Sequence, residues 1–226
     1  MAEPVPSLDE RALSALPIFP LPDVVLFPSA TLPLHVFEPR YRALTRDVLS
    51  GNRLLAMARL KPGFEGDYDG RPPVYEMCGV GQVVKDLQHP DGRYNIVLRG
   101  VGRVRIVEEL PPEQLYRVVR AERVDDELSA DPALIPVWKT KLGELWGRLG
   151  PHLPESLRDL HELTSEAETA GAYADTLAAA VLADPSEAQR MLEELDPAER
   201  LRLLVERVQE LSDALFAGPP SQSKLN

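Results

Sequence analysis

LPIFPLPDVVLFPSATLPLHVFEPRY, residues 16–41, is the most apolar stretch of the chain, and it carries six prolines. Proline removes a backbone donor and fixes φ. Pro17, Pro20, Pro22, Pro28 and Pro33 therefore exclude one continuous helix and argue against an interior strand of that length. Yet Val24, Val25, Leu26 and Phe27 need burial, and Leu32, Leu34 and Val36 alternate with Pro33 and His35 at the period of a half-buried strand. The stretch predicts edge strands and arches closing over a small barrel or sandwich.

The segments that follow fit such a sheet. Glu38-Pro39 predicts a helix start, with Tyr41, Leu44, Val48 and Leu49 as a partial apolar stripe and an end at Ser50-Gly51. RLLAMARL (53–60) is compatible with a buried strand, and the Gly, Pro and Asp content of KPGFEGDYDGRPP (61–73) makes it a loop. The turn HPDG predicts a hairpin of 82–88 with 93–99, in which Tyr94, Ile96 and Leu98 share one face and Asn95, Val97 and Arg99 the other. Gly100 and Gly102 suit a bulge or bend, followed by strands over 103–110 and 114–124.

Near residue 125 the pattern turns helical. Leu134, Val137, Trp138, Leu142, Leu145 and Leu149 recur at helical intervals, and Tyr173, Leu177 and Val181 mark a further helix. Asp184-Pro-Ser-Glu187 and Asp196-Pro-Ala-Glu199 repeat one start signal: an aspartate cap, proline at the first helical position, and glutamate three residues after the cap. The last helix carries Leu201, Leu204, Val205, Val208, Leu211 and Leu215 on one side and stops at Gly218-Pro219-Pro220. Leu211 and Leu215 read as helix core, with a dimer seal as the alternative. The class is α+β: a β pseudo-barrel with one short helix, then a helical bundle.

Composition narrows the chemistry. A single cysteine, Cys78, permits no internal disulfide and no cysteine-cluster zinc site, which fits a reducing cytoplasm. No run reaches the roughly 18 apolar residues of a membrane span, and the N-terminus lacks the order of a secretory signal. Residues 1–125 hold 16 Lys+Arg against 17 Asp+Glu, and residues 126–226 hold 9 against 19, so nearly all of the net −11 lies in the second half. That field opposes nucleic acid and anionic lipid.

The proline-broken stretch, together with GVGQVVKDLQHPDGRYNIVLRGVGRVRIVEEL (79–110), resembles the N-terminal substrate-recognition domain of Lon proteases, a module also found alone in bacterial proteins and inside cereblon. The similarity continues more weakly through YADTLAAAVL (173–182) and AQRMLEELDPAERLRLLVERV (188–208). The resemblance implies a PUA-like β domain, here 16–124, followed by a helical subdomain, 125–217; the polar, proline-containing composition of 1–15 reads as a flexible tail, as does 218–226. In Lon the module engages unfolded or damaged protein substrates and assists hexamer assembly. It there precedes an ATPase and a serine-lysine peptidase. This sequence has no G-x-x-x-x-G-K-[ST] phosphate loop and no length for a peptidase, so the expectation is a stand-alone, non-enzymatic member.

No catalytic residue, cofactor or metal is expected. There is no G-x-S-x-G elbow, Cys78 reads as a buried inert thiol, and His35, His89, His152 and His161 are scattered. Arg99, Arg103, Arg105, Arg117, Arg120 and Arg123 can line a sheet face with Tyr94 as a stacking platform for RNA. Interleaved Glu108, Glu109, Glu113 and Glu122 favour a solvated mixed-charge face instead. For peptide capture the candidates are Phe64 and Tyr68 in the glycine-rich loop, and Phe37, Arg40 and Tyr41 in the FEPRY motif. Against direct contact, Phe37 can pack the helix start and Arg40 can pair with Glu38. The expected partners are unfolded or exposed polypeptide segments, with a separate protease as a further candidate through an adaptor role. Monomer and weak dimer both remain open, and the rival readings are an RNA-binding PUA-like protein and an interaction domain for one folded partner.

Overall fold

The computed structural model describes residues 8–66, 68, 70–158, 160 and 167–216. The expected tails at 1–7 and 218–226, the helix stop at Gly218 and His161 lie outside the described residues. Two compact units emerge: one comprises the chain up to Asp125 together with Leu182–Leu195, the other Asp126–Val181 with the chain from Asp196.

The first unit is a six-stranded sheet: β1 (Leu16–Leu21), β2 (Thr31–Val36), β3 (Leu54–Arg59), β4 (Met77–Gln88), β5 (Tyr94–Glu109) and β6 (Arg117–Val124). The strand order is β2-β5-β4-β3-β1-β6, and β6 also pairs with β5, which closes five strands into a barrel. β5 makes this possible by its length. Its first half pairs β2 from Tyr94 to Arg99 and its second half pairs β6 from Arg103 to Glu109, on the edge away from β4. Sequence reading divides this strand at Gly100 and Gly102. In the structure it runs through, with a register shift opposite Val80/Gly81 that bends it without ending it.

The proline-rich β1 is not an edge strand, contrary to expectation. It lies between β3 and β6 but is doubly paired over very little of its length. Leu16 to Ile18 register with β6, and Ile18 to Leu21 with β3. Pro17 thus lies outside the β3 register and Pro20 outside the β6 register, so each missing N–H falls where one neighbour is absent. Pro33, in β2, has only β5 beside it, as an edge strand predicts.

Between β1 and β2 the chain crosses the barrel as an arch. Leu26 and Phe27 are almost fully buried, and the carbonyl oxygens of these two residues sit where a Cβ on Gly79 or Gly100 would stand, at 1.7 and 2.0 Å respectively. Only glycine admits a crossing so close. Ser29 N–H donates to Gly100 O at 3.0 Å, and Gly100 N–H donates to Ala30 O at 2.8 Å.

Both sheet faces are covered, which explains the uninterrupted apolar run of β3. Leu55 and Met57 join Phe19, Leu26, Tyr41, Leu44 and Ile96 in one cluster, while Leu54, Ala56 and Ala58 join Leu16, Ile18, Val80 and Val104 in another. Helix α2 (Pro39–Ser50) begins and ends as its sequence signals predict. Residues 8–15, read from composition as tail, instead carry helix α1 (Glu10–Leu13), capped by Asp9, with Leu8 and Leu13 in the second cluster. Two apolar anchors outweigh the polar residues around them.

The second unit contains α3 (Leu134–Leu149), α4 (Glu155–Arg158), α5 (Ala170–Val181) and, after the capped helix α6 (Pro185–Glu193) of the first unit, α7 (Pro197–Phe216). Both aspartate caps form: Asp184 accepts from Glu187 N–H at 3.1 Å and Asp196 from Ala198 N–H at 2.8 Å. Sequence reading assigns α6 to the helical half. In the structure it is held on the barrel, where Gln189 Nε2 donates to Met77 O and Arg103 Nε to Leu192 O. The centre of the second unit is Arg200, fully buried, with ion pairs to Asp126 and Asp175 at 2.5 Å each. Leu201, Leu204 and Val208 are buried as the stripe predicts. Leu211 and Leu215 are exposed, so they are not core.

Candidate functional site

A cleft of about 370 Å³ in the barrel unit is bounded by the start of α2, the loop after β3 and the β5–β6 turn. Each wall has a local cause. Pro39 starts α2 directly after β2, so Arg40 and Tyr41 fall on its first turn. The loop is closed at its base by the Leu60–Val74 bridge and by Lys61 N–H donating to Pro73 O at 2.8 Å. Pro111 and Pro112 end β5 and turn the chain so that Gln114, Leu115 and Tyr116 reach the same opening.

Of the five residues expected at a peptide site, three come together. Arg40 Nε donates to Glu38 Oε2 at 3.0 Å and its Nη1 to the Tyr68 carbonyl oxygen at 3.2 Å, while Tyr68 Oη donates to Glu38 Oε1 at 3.1 Å. The guanidinium lies 4.7 Å from the Tyr41 ring centre and 4.9 Å from that of Tyr68, a double cation–π arrangement. Tyr41 stacks on Phe19 at 4.0 Å and donates to Pro20 O at 3.0 Å. Phe64 flanks the cleft, its ring 6.2 Å from that of Tyr68. Phe37 is not among the lining residues. It is 60% exposed, beside His35 at 6.2 Å between ring centres.

Sequence reasoning does not single out Leu60, Arg71, Leu115 or Tyr116 as site residues, and reads Arg117 only as a sheet-face cation. Arg117 grips Glu109 through Nε at 2.9 Å and Nη2 at 2.7 Å, and donates from Nη1 to Pro72 O at 2.7 Å. Arg71 joins the same carboxylate at 2.8 Å. Tyr116 Oη donates to Asp47 Oδ2 at 3.0 Å. The proline pair at 111–112 was the available signal, but which walls meet depends on pairings distant in sequence.

Every cleft phenol is held protonated at neutral pH. Burial pushes Tyr41 well above the ordinary phenol range, burial and then Glu38 raise Tyr68, and burial followed by the bond to Asp47 pushes Tyr116 up to about 12. The cleft therefore offers apolar faces, three neutral phenols and guanidinium donors. Among the described residues it offers no nucleophile beside a base.

The other candidate chemistries resolve into structure. Cys78 is buried against Tyr75 O, and burial pushes its thiol up to about 12, far from reactivity. Among the described residues no group of three His, Cys, Asp or Glu side chains could hold a metal ion. Of the six sheet arginines, five are engaged within the protein, and Arg105 is exposed. Arg103 is buried against Leu192 O, Arg99 donates to Gln82, and Arg120 and Arg123 pair with Glu108 and Asp125. Among the described residues no helix is long and apolar enough to cross a membrane.

Comparison with known proteins identifies the family of the chain. The sequence profile of the ATP-dependent protease La (LON) substrate-binding domain matches residues 15–210. The chain is 30% identical over 206 residues to Lon protease 2 of Myxococcus xanthus and 31% identical over 199 residues to the Lon protease of Trichlorobacter lovleyi. These alignments take in 91% and 84% of the chain but 25% and 23% of those proteins, so it spans about a quarter of the curated relatives it matches. Among solved structures, the N-terminal domain of the Mycobacterium avium complex Lon protease superposes with a TM-score of 0.66 at 19% identity, over 87% of this chain and 98% of that one. A Lon N-terminal domain protein from Xanthomonas campestris gives 0.55 at 24% identity, over 85% and 97%. The PUA-like barrel with its helical extension is the fold these structures share, and the chain belongs to the Lon substrate-binding domain family.

Proposed function

We propose that this protein is a non-catalytic cytoplasmic module that captures extended or unfolded segments of other polypeptides through the cleft beside α2. The observation that carries this reading is the lining itself. Aliphatic and tyrosine faces suit the side chains that folded proteins hide, and guanidinium donors suit the carbonyl and carboxylate oxygens of an unfolded chain. Arg40, Tyr41 and Tyr68 form the inner wall, Phe64 extends it, and exposed Phe37 adds a separate apolar contact. Membership of a substrate-binding family supports the same reading. An adaptor role, handing captured chains to a separate ATP-dependent protease, follows from it.

The ion pairs of Arg120 and Arg123 and the burial of Arg103 against Leu192 O weigh against RNA. The test is an anisotropy titration with a permanently unfolded polypeptide and with a structured RNA, each at low and high salt. Unfolded polypeptide should bind with modest salt dependence, and replacing Phe64 and Tyr68 together by serine should weaken it without loss of fold. RNA binding that collapses with salt, with no binding of unfolded chains, would overturn the reading.

A further inference from the structure

Arg59 ends β3 and is buried, only 8% exposed. A guanidinium withdrawn from water normally meets a carboxylate, because an unpaired buried charge is costly. Arg200 in the second unit obeys this, with Asp126 and Asp175. Arg59 has no carboxylate partner among the described residues, and neutral groups hold it instead. Its Nε donates to Pro22 O at 3.2 Å, its Nη2 donates to Ser186 Oγ at 3.0 Å, and its guanidinium lies 5.1 Å from the Tyr75 ring centre. Nη1 has no hydrogen-bond partner among the described residues. Lys61 Nζ, 5.9 Å from the same ring centre, adds a second cation with no carboxylate partner among those residues. The hydroxyl that Nη2 reaches belongs to an exposed residue. Ser186 is the second residue of the nine-residue helix α6, so it stands at the positive end of that helix.

We propose that Ser186 is a phosphorylation site and that its phosphate is the anion Arg59 lacks. A serine kinase transfers the γ-phosphoryl group of ATP. The Ser186 Oγ–P bond forms, the bond from that phosphorus to the β,γ-bridging oxygen breaks, ADP leaves with its electron pair, and the hydroxyl proton passes to a base of the kinase. The product carries nearly two negative charges and three acceptor oxygens. Arg59 Nη2 already touches the oxygen that is modified, so the phosphate oxygens come within its reach from the solvent side. A neutral hydrogen bond becomes one between ionised groups, about twice as strong. Asp184, exposed, and Glu187, half-buried, flank the serine and oppose a phosphate, so any control has to carry both. The consequence lies in α6. Gln189 and Arg103 hold it on the barrel through Met77 O and Leu192 O, and the phosphate adds an ionic anchor at its start. This proposal is independent of polypeptide capture by the cleft.

The experiment uses the full chain with Ser186→phosphoserine, encoded during synthesis, beside a phosphoserine peptide of residues 182–191, which keeps Asp184 and Glu187 but has no Arg59. Phosphorus NMR follows the second ionisation of the phosphate, ordinarily near pH ~6. In the folded chain the midpoint should lie about half a pH unit or more below that of the peptide, because Arg59 and the helix end favour the dianion. Hydrogen exchange of the α6 amides should be about three- to tenfold slower than in the unmodified chain. Arg59→Gln should remove both effects. A serine kinase chosen because it phosphorylates the unmodified peptide is then given the folded chain with ATP, and mass spectrometry should find the phosphate on Ser186.

A midpoint in the folded chain equal to or above that of the peptide overturns the proposal, since the phosphate then meets no cation that its neighbours do not cancel. So does a lowered midpoint that survives Arg59→Gln, which assigns the effect to the helix end alone. Exchange of α6 that is unchanged or faster overturns the anchoring. A kinase that modifies the peptide and leaves Ser186 of the folded chain untouched overturns the modification site. The comparison of folded chain with peptide decides the matter even where Arg59→Gln fails to fold.

Discussion

Replacing Gly79 with alanine tests the crossing on which the barrel unit depends. The new Cβ would stand 1.7 Å from the carbonyl oxygen of Leu26 and 2.8 Å from its carbonyl carbon, where 3.0 Å is the closest approach real Cβ atoms show. Gly79 is registered with Met57 on one side and Arg103 on the other, so β4 cannot yield and the arch must retreat by more than an ångström. Overpacking of this kind costs ~1–3 kcal/mol. Leu26 and Phe27 are 1% and 2% exposed, and each loses part of the ~1.5–3 kcal/mol that full burial supplies. A total of ~3–5 kcal/mol is expected, a large share of the ~5–15 kcal/mol of a typical domain. At a urea dependence of ~2 kcal/mol per molar, the midpoint falls by ~1.5–2.5 M. Trp138 and Trp146 are the only tryptophans and both belong to the helical unit, so fluorescence is the wrong probe. Hydrogen exchange of β3–β5 amides across a urea series is the right one. Gly66→Ala, with nothing within 4 Å, is the control and should stay within ~0.5 kcal/mol. A Gly79→Ala midpoint indistinguishable from that control would refute the close crossing.

In the helical unit, Arg200→Met removes the buried guanidinium that pairs with Asp126 and Asp175 and should cost ~3–5 kcal/mol, read by tryptophan fluorescence during urea unfolding. Gly147→Ala meets nothing within 4 Å on α3 and should stabilise that helix by ~0.5–1 kcal/mol in the same assay. Asp196→Ala removes the α7 cap and should cost ~1 kcal/mol at neutral pH. Burial pushes the Asp196 carboxyl up, but donation from Ser129 Oγ and the Ala198 and Ala130 N–H groups outweighs it and holds the group below its ordinary value of 3.8. The cap's stabilisation is therefore complete above that value and disappears as pH falls through the depressed one. The gap between wild type and Asp196→Ala, followed by thermal unfolding at a series of acidic pH values, should close only there.

Much of the fold is readable because its signals are local. Pro39 and Gly51 bound α2, the two Asp-Pro caps start α6 and α7, and HPDG turns the hairpin, each through groups within a few residues of one another. The interior position of strand β1 is not legible in the sequence, because proline frequency says nothing about where each missing donor points. Its exchange of neighbours at Ile18 is decided by β3 and β6, which lie far along the chain. Leu211 and Leu215 keep the helical period of the α7 stripe but remain exposed, since periodicity marks a face without supplying something to cover it.

The cleft divides along the same line. Arg40 and Tyr41 were legible together, because FEPRY places them on one helical turn, and Tyr68 stood out as an aromatic in a loop hard to bury. That all three meet, that Tyr116 and Arg117 join them, and that Phe37 points to a different surface depend on long-range closure of β5 on β6 and of the loop on Val74. By itself the sequence determined the local elements and the β-then-α order, since each rests on neighbouring residues. Only the tertiary structure decided which walls form a cleft and which acceptors each guanidinium finds, because burial and hydrogen-bond partnership are properties of residues that the fold, and not the chain order, brings together.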